Sequence, residues 1–252
     1  MNLILLERDD FLGPQRVRLT GRRARHVIEV HRAKVGDRLR VGLLGGAMGE
    51  AVVAAVEQGT AEPAATKLAT VELAVVELAE VTLGQKPPSP LDLVLVLALP
   101  RPKVLRRLVA AVTSFGLKEL HLVHSARVEK SYWQSPRLRP EELQMAIRLG
   151  QEQGRDTLPM VIHQHRRFRL FAEDQLPQLL EGRAGYVAHP GAERVCPSGV
   201  GGPALLAVGP EGGFIDFEVQ LLQSLGVAAV SLGERALSVE TAVSALLGRL
   251  MS

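Results

Sequence analysis

The chain has 252 residues, 46% of them hydrophobic and 23% charged, a balance that excludes a disordered, collagenous or fibrous protein. A single cysteine, Cys196, excludes an intramolecular disulfide and a multi-cysteine zinc site, and the longest strongly apolar stretch, Leu93 to Leu99, is far short of the roughly 18–20 residues of a membrane span. The formal net charge of +3 conceals an alternation of +5 over residues 1–40, −5 over 41–100, +8 over 101–170 and −5 over 171–252, and 24 of the 30 basic residues are arginine, whose planar fork suits phosphates and bases.

In chain order, Leu3–Leu6 reads as a first strand. A helix is expected from Thr20, its N-cap, through Arg32, with His26, Val27, Val30 and Ala33 at near-helical spacing. Arg22, Arg23 and Arg25 crowd its first turns, where cations oppose the helix dipole, so an anionic phosphate is a candidate reason for them. Strands are expected at Arg38–Leu43, Gly49–Val56 and Val71–Val81, with turns at Val35-Gly36-Asp37 and Gly45-Gly46. Residues 1–83 then form a small β-rich domain. Residues 84–90 form a linker, because three prolines in four residues forbid a helix or a central strand.

Residues 91–252 alternate apolar runs with amphipathic stretches. The expected order is strand Leu91–Ala98, helix Lys103–Phe115, strand Glu119–Val123, helix Glu141–Gln153, strand Met160–His163 and helix Phe168–Leu180. Strands Gly185–Ala188 and Ala204–Val208, helix Asp216–Leu225, strand Ala228–Leu232 and helix Val239–Leu250 complete it. Such a series implies a parallel sheet covered on both faces, with ligands beyond the carboxyl ends of its strands.

The chain lacks a P-loop Gly-Lys pair, a GxGxxG after the first strand of this α/β domain, a GxSxG elbow and an HExxH helix, which excludes the common nucleotide hydrolases, dehydrogenases, esterases and zinc proteases. The histidine pairs His121/His124 and His163/His165 have no third His or Cys at ligand spacing, so no metal is expected. The strongest local signal is Val208-Gly209-Pro210-Glu211-Gly212-Gly213-Phe214, an apolar strand ending in a turn with three glycines, where one would serve a tight turn and three allow a ligand close to bare backbone. One strand later, Leu232-Gly233-Glu234-Arg235-Ala236-Leu237-Ser238 leads into the last helix, which would set two glycine-bearing loops side by side.

These two loops resemble the cofactor motifs of the RsmE family, SPOUT-class methyltransferases acting on N3 of a uridine in 16S ribosomal RNA. The likeness extends to Arg25-His26-Val27-x-x-Val30 with Val35-Gly36-Asp37, to Lys103 with Phe115-Gly116-Leu117, to Gln151-Glu152-Gln153-Gly154-Arg155 and to Ala188-His189-Pro190. The resemblance implies a SPOUT-type α/β domain with a C-terminal trefoil knot, an N-terminal PUA-like β-barrel, S-adenosylmethionine as cofactor and a homodimer. It implies a cofactor site at Ala188, His189, Gly209, Pro210, Glu211, Gly212, Gly213, Leu232, Gly233 and Leu237, with Arg235 and Glu240 as catalytic candidates. Arg235 would stabilise the uracil anion, and Glu240 would take the N3 proton or serve only the dipole of its helix. The target uridine must leave its helix to expose N3, and 16S rRNA, free or in the small subunit, would be held by Arg22, Arg25, Lys103, Arg106, Arg107 and Arg127. Trp133 is either a stacking platform or a packing anchor, the anchor being favoured.

Two positions depart from the family pattern. Ser238 and Ser114 stand where many members carry Arg and Glu, which keeps open a noncatalytic RNA-binding factor or an enzyme with another RNA target. Ser238 also suits an N-cap for the helix that follows. The opening residues Met1 to Asp9 carry neither a basic flank nor a small-residue cleavage site, so a cytoplasmic protein is expected.

Overall fold

The computed structural model describes residues 2–61 and 71–251 and divides into two units, one of Met1–Pro88 with Gln151–Leu158, the other of Ser89–Gly150 with Pro159–Ser252. In the first unit the chain forms β1 (Ile4–Leu6), β2 (Phe11–Gly13), β3 (Arg16–Thr20), α1 (Gly21–Glu29), β4 (Arg38–Leu43), β5 (Met48–Ala61) and β6 (Val71–Gln85). They make a six-stranded sheet in the order β1-β4-β5-β6-β3-β2, in which only the β1–β4 pair is parallel. In β3 burial alternates strictly: Val17 and Leu19 enter the core, while Arg16 and Arg18 face out and clasp Glu77 of β6 at 3.0 and 2.7 Å. Ala24 and Val27 of α1 seal the same core against Val41, Val53, Val76 and Leu78.

Two expectations change here. The β2–β3 hairpin was not expected from the sequence, and β6 runs to Gln85, inside the stretch read as a linker. The arginines of α1 also have a local explanation. Arg23 donates to both carboxylate oxygens of Asp10, at 2.5 and 2.7 Å, and to the Leu5 carbonyl. Arg22 donates through both terminal nitrogens to Glu152, at 2.9 and 2.7 Å, a carboxylate with no solvent exposure. Carboxylates of the unit, rather than a phosphate, answer these two charges, while Arg25 is exposed.

The second unit runs β7 (Leu93–Ala98), α2 (Pro102–Ser114), β8 (Glu119–Val123), α3 (Pro140–Gly154, its last residues belonging to the first unit), β9 (Val161–His165), α4 (Phe168–Leu170), α5 (Leu176–Leu180), β10 (Ala184–Ala188), β11 (Ala204–Val208), α6 (Asp216–Ser224), β12 (Ala228–Val230) and α7 (Val239–Met251). All its strand pairs are parallel, in the order β12-β10-β11-β7-β8-β9. The central strands β7 and β11 are buried at every residue, which is why they read as unbroken apolar runs rather than alternating ones. The helix expected over residues 168–180 is split by a π-turn at Phe171–Gln175, two residues before Pro177. Proline has no N–H to donate and its ring crowds the preceding turn, so a wider turn accommodates it. Among the described residues no helix is long and apolar enough to cross a membrane.

Candidate functional site

Strand order diverges on either side of β7: β8 and β9 extend the sheet one way, while β11, β10 and β12 extend it the other. The carboxyl ends of β10, β11 and β12 open onto one cleft. Its walls come from Ala188, His189 and Pro190 after β10, from Val208 to Glu211 and Gly213 after β11, and from Val230 to Gly233 after β12. Arg235 and Leu237 close it in front, and Val239, Ala242 and Leu246 of α7 supply an apolar side.

The β11 loop is shaped by its glycines. A Cβ on Gly209 would sit 2.7 Å from the Phe214 backbone nitrogen and 2.9 Å from the Gly213 carbonyl carbon, so any side chain would force the loop open. Gly213 takes φ +70° and donates to the Pro210 carbonyl at 2.7 Å, closing the turn. Phe214 is buried and meets the Phe168 ring at 5.6 Å, which anchors the end of the loop. Below it, the buried carboxylate of Glu218 accepts from the backbone N–H groups of Ile215 at 3.0 Å and Ala126 at 2.7 Å. The loop after β10 is fastened to β12 by His189 N–H to the Val230 carbonyl, Ser231 N–H to Arg194 and Cys196 N–H to Ser231. Cys196 itself is buried, and burial pushes its thiol pKa up, which disfavours the thiolate a nucleophile needs.

Nine of the ten residues expected around a cofactor line this cleft. The tenth, Gly212, instead offers its carbonyl to the Arg127 guanidinium. The side chain of Glu211 accepts the Arg101 N–H at 3.0 Å and so ties the loop to the start of α2. Arg235 lines the cleft, is exposed, and among the described residues has no hydrogen-bond or ion-pair partner. Glu240 departs from expectation: it is not part of the lining, and its carboxylate is paired with Arg107 of α2 at 2.7 Å. Two residues expected to serve RNA and proton transfer are thus engaged with each other. Lys103 and Arg106 of α2 are exposed. Trp133 is 8% exposed, donates its indole N–H to His124 at 2.8 Å and carries the Arg166 guanidinium 5.4 Å from its ring, so it is a packing anchor.

The apolar side of the cleft could not be picked out from the sequence. Helical periodicity marks α7 as a helix but does not say which of its apolar residues face a neighbour and which face a cavity. Ser238 caps that helix: its hydroxyl accepts the Thr241 N–H at 3.3 Å and meets the Thr241 hydroxyl at 2.9 Å. Ser114 turns its hydroxyl back to the Ala111 carbonyl at 2.7 Å.

The chain matches the family model of the RNA methyltransferase domain over residues 87–251. It is 29% identical over 157 residues to a ribosomal RNA small subunit methyltransferase E of Treponema pallidum, a match covering 60% of this chain and 58% of that relative. Among solved structures it superposes on a Legionella pneumophila methyltransferase bound to SAM, with a TM-score of 0.70, 20% identity and coverage of 98% and 96% of the two chains. A Neisseria gonorrhoeae ribosomal RNA small subunit methyltransferase E bound to S-adenosyl methionine gives a TM-score of 0.65, 21% identity and coverage of 98% and 95%. These two structural likenesses establish the fold.

Proposed function

Since the chain belongs to the RNA methyltransferase domain family, we propose that it transfers a methyl group from S-adenosylmethionine to N3 of a uridine in 16S ribosomal RNA. The observation that carries this reading is the single cleft shared by Gly209–Gly213 and Leu232–Leu237, with an unpaired Arg235 at its edge. The cleft suits the cofactor on its own terms. The Gly209 cradle admits only bare backbone, the α7 side is apolar enough for a planar ring, and Glu211 keeps one carboxylate oxygen for an ammonium or a hydroxyl.

When bound, the sulfonium supplies an intrinsically reactive methyl, so the protein's task is to align the acceptor and offset charge. Residues Gly209, Pro210, Glu211, Gly213, Leu232, Gly233 and Leu237 hold the cofactor in this proposal. Arg235 stabilises the uracil anion left when the N3 proton departs. Glu240 acts on Arg107 as a positioning residue rather than on the proton, which leaves to water or to the RNA. Of the cations expected to meet RNA, Lys103, Arg106 and Arg25 are exposed and, among the described residues, have no side-chain partner, which leaves them for phosphate contact.

The same reading includes the trefoil knot, closure of the first sheet into a PUA-like barrel, a homodimer and a cytoplasmic location. Among the described residues β1 and β2, the end strands of that sheet, are not paired with each other. The deciding experiment incubates the protein with labelled S-adenosylmethionine and either naked 16S rRNA or small ribosomal subunits from cells lacking it, followed by nucleoside mass spectrometry. Appearance of 3-methyluridine supports the proposal. RNA binding without methyl transfer would favour a noncatalytic factor, a reading to which the capping role of Ser238 gives some weight. A methylated nucleoside in tRNA instead would redirect the substrate.

A further inference from the structure

The edge of the second unit's sheet carries a side-chain cluster that the cleft does not use. In the parallel pairing of β8 with β9, His121 lies opposite His163 and Val123 opposite His165. Side chains alternate between faces along a strand, so Glu119, His121, His163 and His165 project from one face. His121 Nε2 is 3.0 Å from Glu119 Oε1, and His121 Nδ1 is 2.9 Å from His165 Nε2. His163 Nε2 lies 4.0 Å from the same Glu119 oxygen, and its ring stacks on His121 with centroids 4.6 Å apart. One ligand atom from each of Glu119, His121 and His163 falls within 4.8 Å of the others.

We propose that Glu119, His121 and His163 form a binding site for a divalent transition-metal ion of the zinc type, completed by water. Metal–ligand bonds of about 2.0–2.1 Å place tetrahedral ligand atoms roughly 3.3 Å apart, so modest rotations of Glu119 and His163 close the cage. Both side chains have the freedom to do so, being 36% and 45% exposed, and they give an ion a route from solvent. His121, 6% exposed, is the fixed member. With a metal on Nε2, the His121 proton would sit on Nδ1 and donate to His165 Nε2, 2.9 Å away, which orients the ring, and the Phe171 ring backs His165 at 4.6 Å. Two imidazoles and one carboxylate suit zinc, cobalt or nickel and not the all-oxygen preference of magnesium or calcium. The ion fastens β9, an edge strand with little burial of its own, to β8. The site stands at the opposite edge of the sheet from the cleft strands β10 and β12. Neither histidine pair has a third His or Cys at ligand spacing, so spacing alone pointed to no metal; pairing of the two strands brings His163 beside Glu119 and His121.

The test uses the untagged full chain stripped of metal with EDTA, titrated with Co²⁺ and then Zn²⁺ and followed by visible absorption and thermal unfolding. The expected result is saturable uptake of about one ion per chain, a tetrahedral cobalt spectrum bleached by Zn²⁺, and a rise in unfolding temperature that EDTA reverses and Mg²⁺ does not produce. Glu119→Gln and His163→Ala should each weaken binding by more than about tenfold, while the metal-free variants keep the metal-free wild-type unfolding temperature. Absence of saturable uptake overturns the proposal. So does wild-type affinity in both variants, which would place the ion elsewhere, for example at the His26/His31 pair.

Discussion

The guanidinium of Arg107 and the carboxylate of Glu240 stand 2.7 Å apart, linking α2 to the first turn of α7, the helix that forms the apolar side of the cleft. The link gives Glu240 a partner other than substrate and makes its contribution separable from that of Arg235.

Replacing Glu240 by Gln should lower the methyl-transfer rate by less than about tenfold, whereas Arg235→Ala should lower it by about 10²–10³-fold, the usual cost of one charge-stabilising donor. Single-turnover assays at saturating cofactor measure both. Because Arg107 is 71% exposed, the pair adds at most about 1 kcal/mol to stability, so denaturant midpoints of Glu240→Gln should stay close to wild type. A rate loss in Glu240→Gln as large as that in Arg235→Ala would return the proton to Glu240.

The two glycine positions in the β11 loop should respond differently to alanine. At Gly209 the added Cβ meets backbone at 2.7 Å, and at Gly212 it meets only the Arg127 side chain at 3.0 Å, which can swing aside. Calorimetric titration with S-adenosylmethionine should show more than about a tenfold loss of affinity for Gly209→Ala, roughly 1.4 kcal/mol, and a small change for Gly212→Ala.

Breaking the Arg22–Glu152 pair should be asymmetric. Arg22→Met strands a fully buried carboxylate and should cost about 3 kcal/mol in denaturant unfolding, whereas Glu152→Gln leaves a cation that is one-third exposed and should cost less. Equal losses would mean that Glu152 gains solvent when its partner is removed.

RNA binding should accordingly be probed at Arg25, Lys103 and Arg106, whose side chains carry no structural ion pair among the described residues. Each alanine variant that removes a phosphate contact should lower the slope of log K against log salt by about 1, with cofactor affinity unchanged. Arg127→Ala should change cofactor affinity little, because Gly212, whose carbonyl its guanidinium holds, does not line the cleft.

Acid should weaken the first unit through His26. Burial, with the charges of His31 and Arg22 nearby, lowers its pKa from 6.5 to about 4, so the folded chain keeps it neutral where the unfolded chain protonates it. The unfolded state therefore binds more protons between those values. Stability from this group is full above pH 6.5 and is lost as pH falls toward 4. A His26→Gln variant should show a shallower decline over that window in pH-dependent denaturation.

What the sequence revealed, and what it did not, divides by range. The run Ala204–Val208 coincides end to end with a strand, because a central parallel strand needs only continuous apolar residues. The glycine loops were visible because the conformation and clearance they need are local. The β3 strand carries a clear alternation in Arg16-Val17-Arg18-Leu19-Thr20, yet it was not among the expected strands. Nothing local announces that Arg22 meets Glu152, 130 residues on, or that His121 meets His163, since register between distant segments is set by packing of the whole sheet.

Residues 151–158 make the first unit discontinuous. Glu152 answers Arg22, its carbonyl receives the Asn2 N–H at 3.0 Å, and the Thr157 carbonyl receives the Gly45 N–H at 2.8 Å. A nascent chain emerging from its N-terminus can therefore pair its first six strands early but gains these contacts only after some seventy further residues have been made. A fragment ending at Pro88 would lack the counter-charge for Arg22 and the backbone partners of Asn2 and Gly45. The order of synthesis thus delays completion of the N-terminal unit until much of the domain that follows it has been translated.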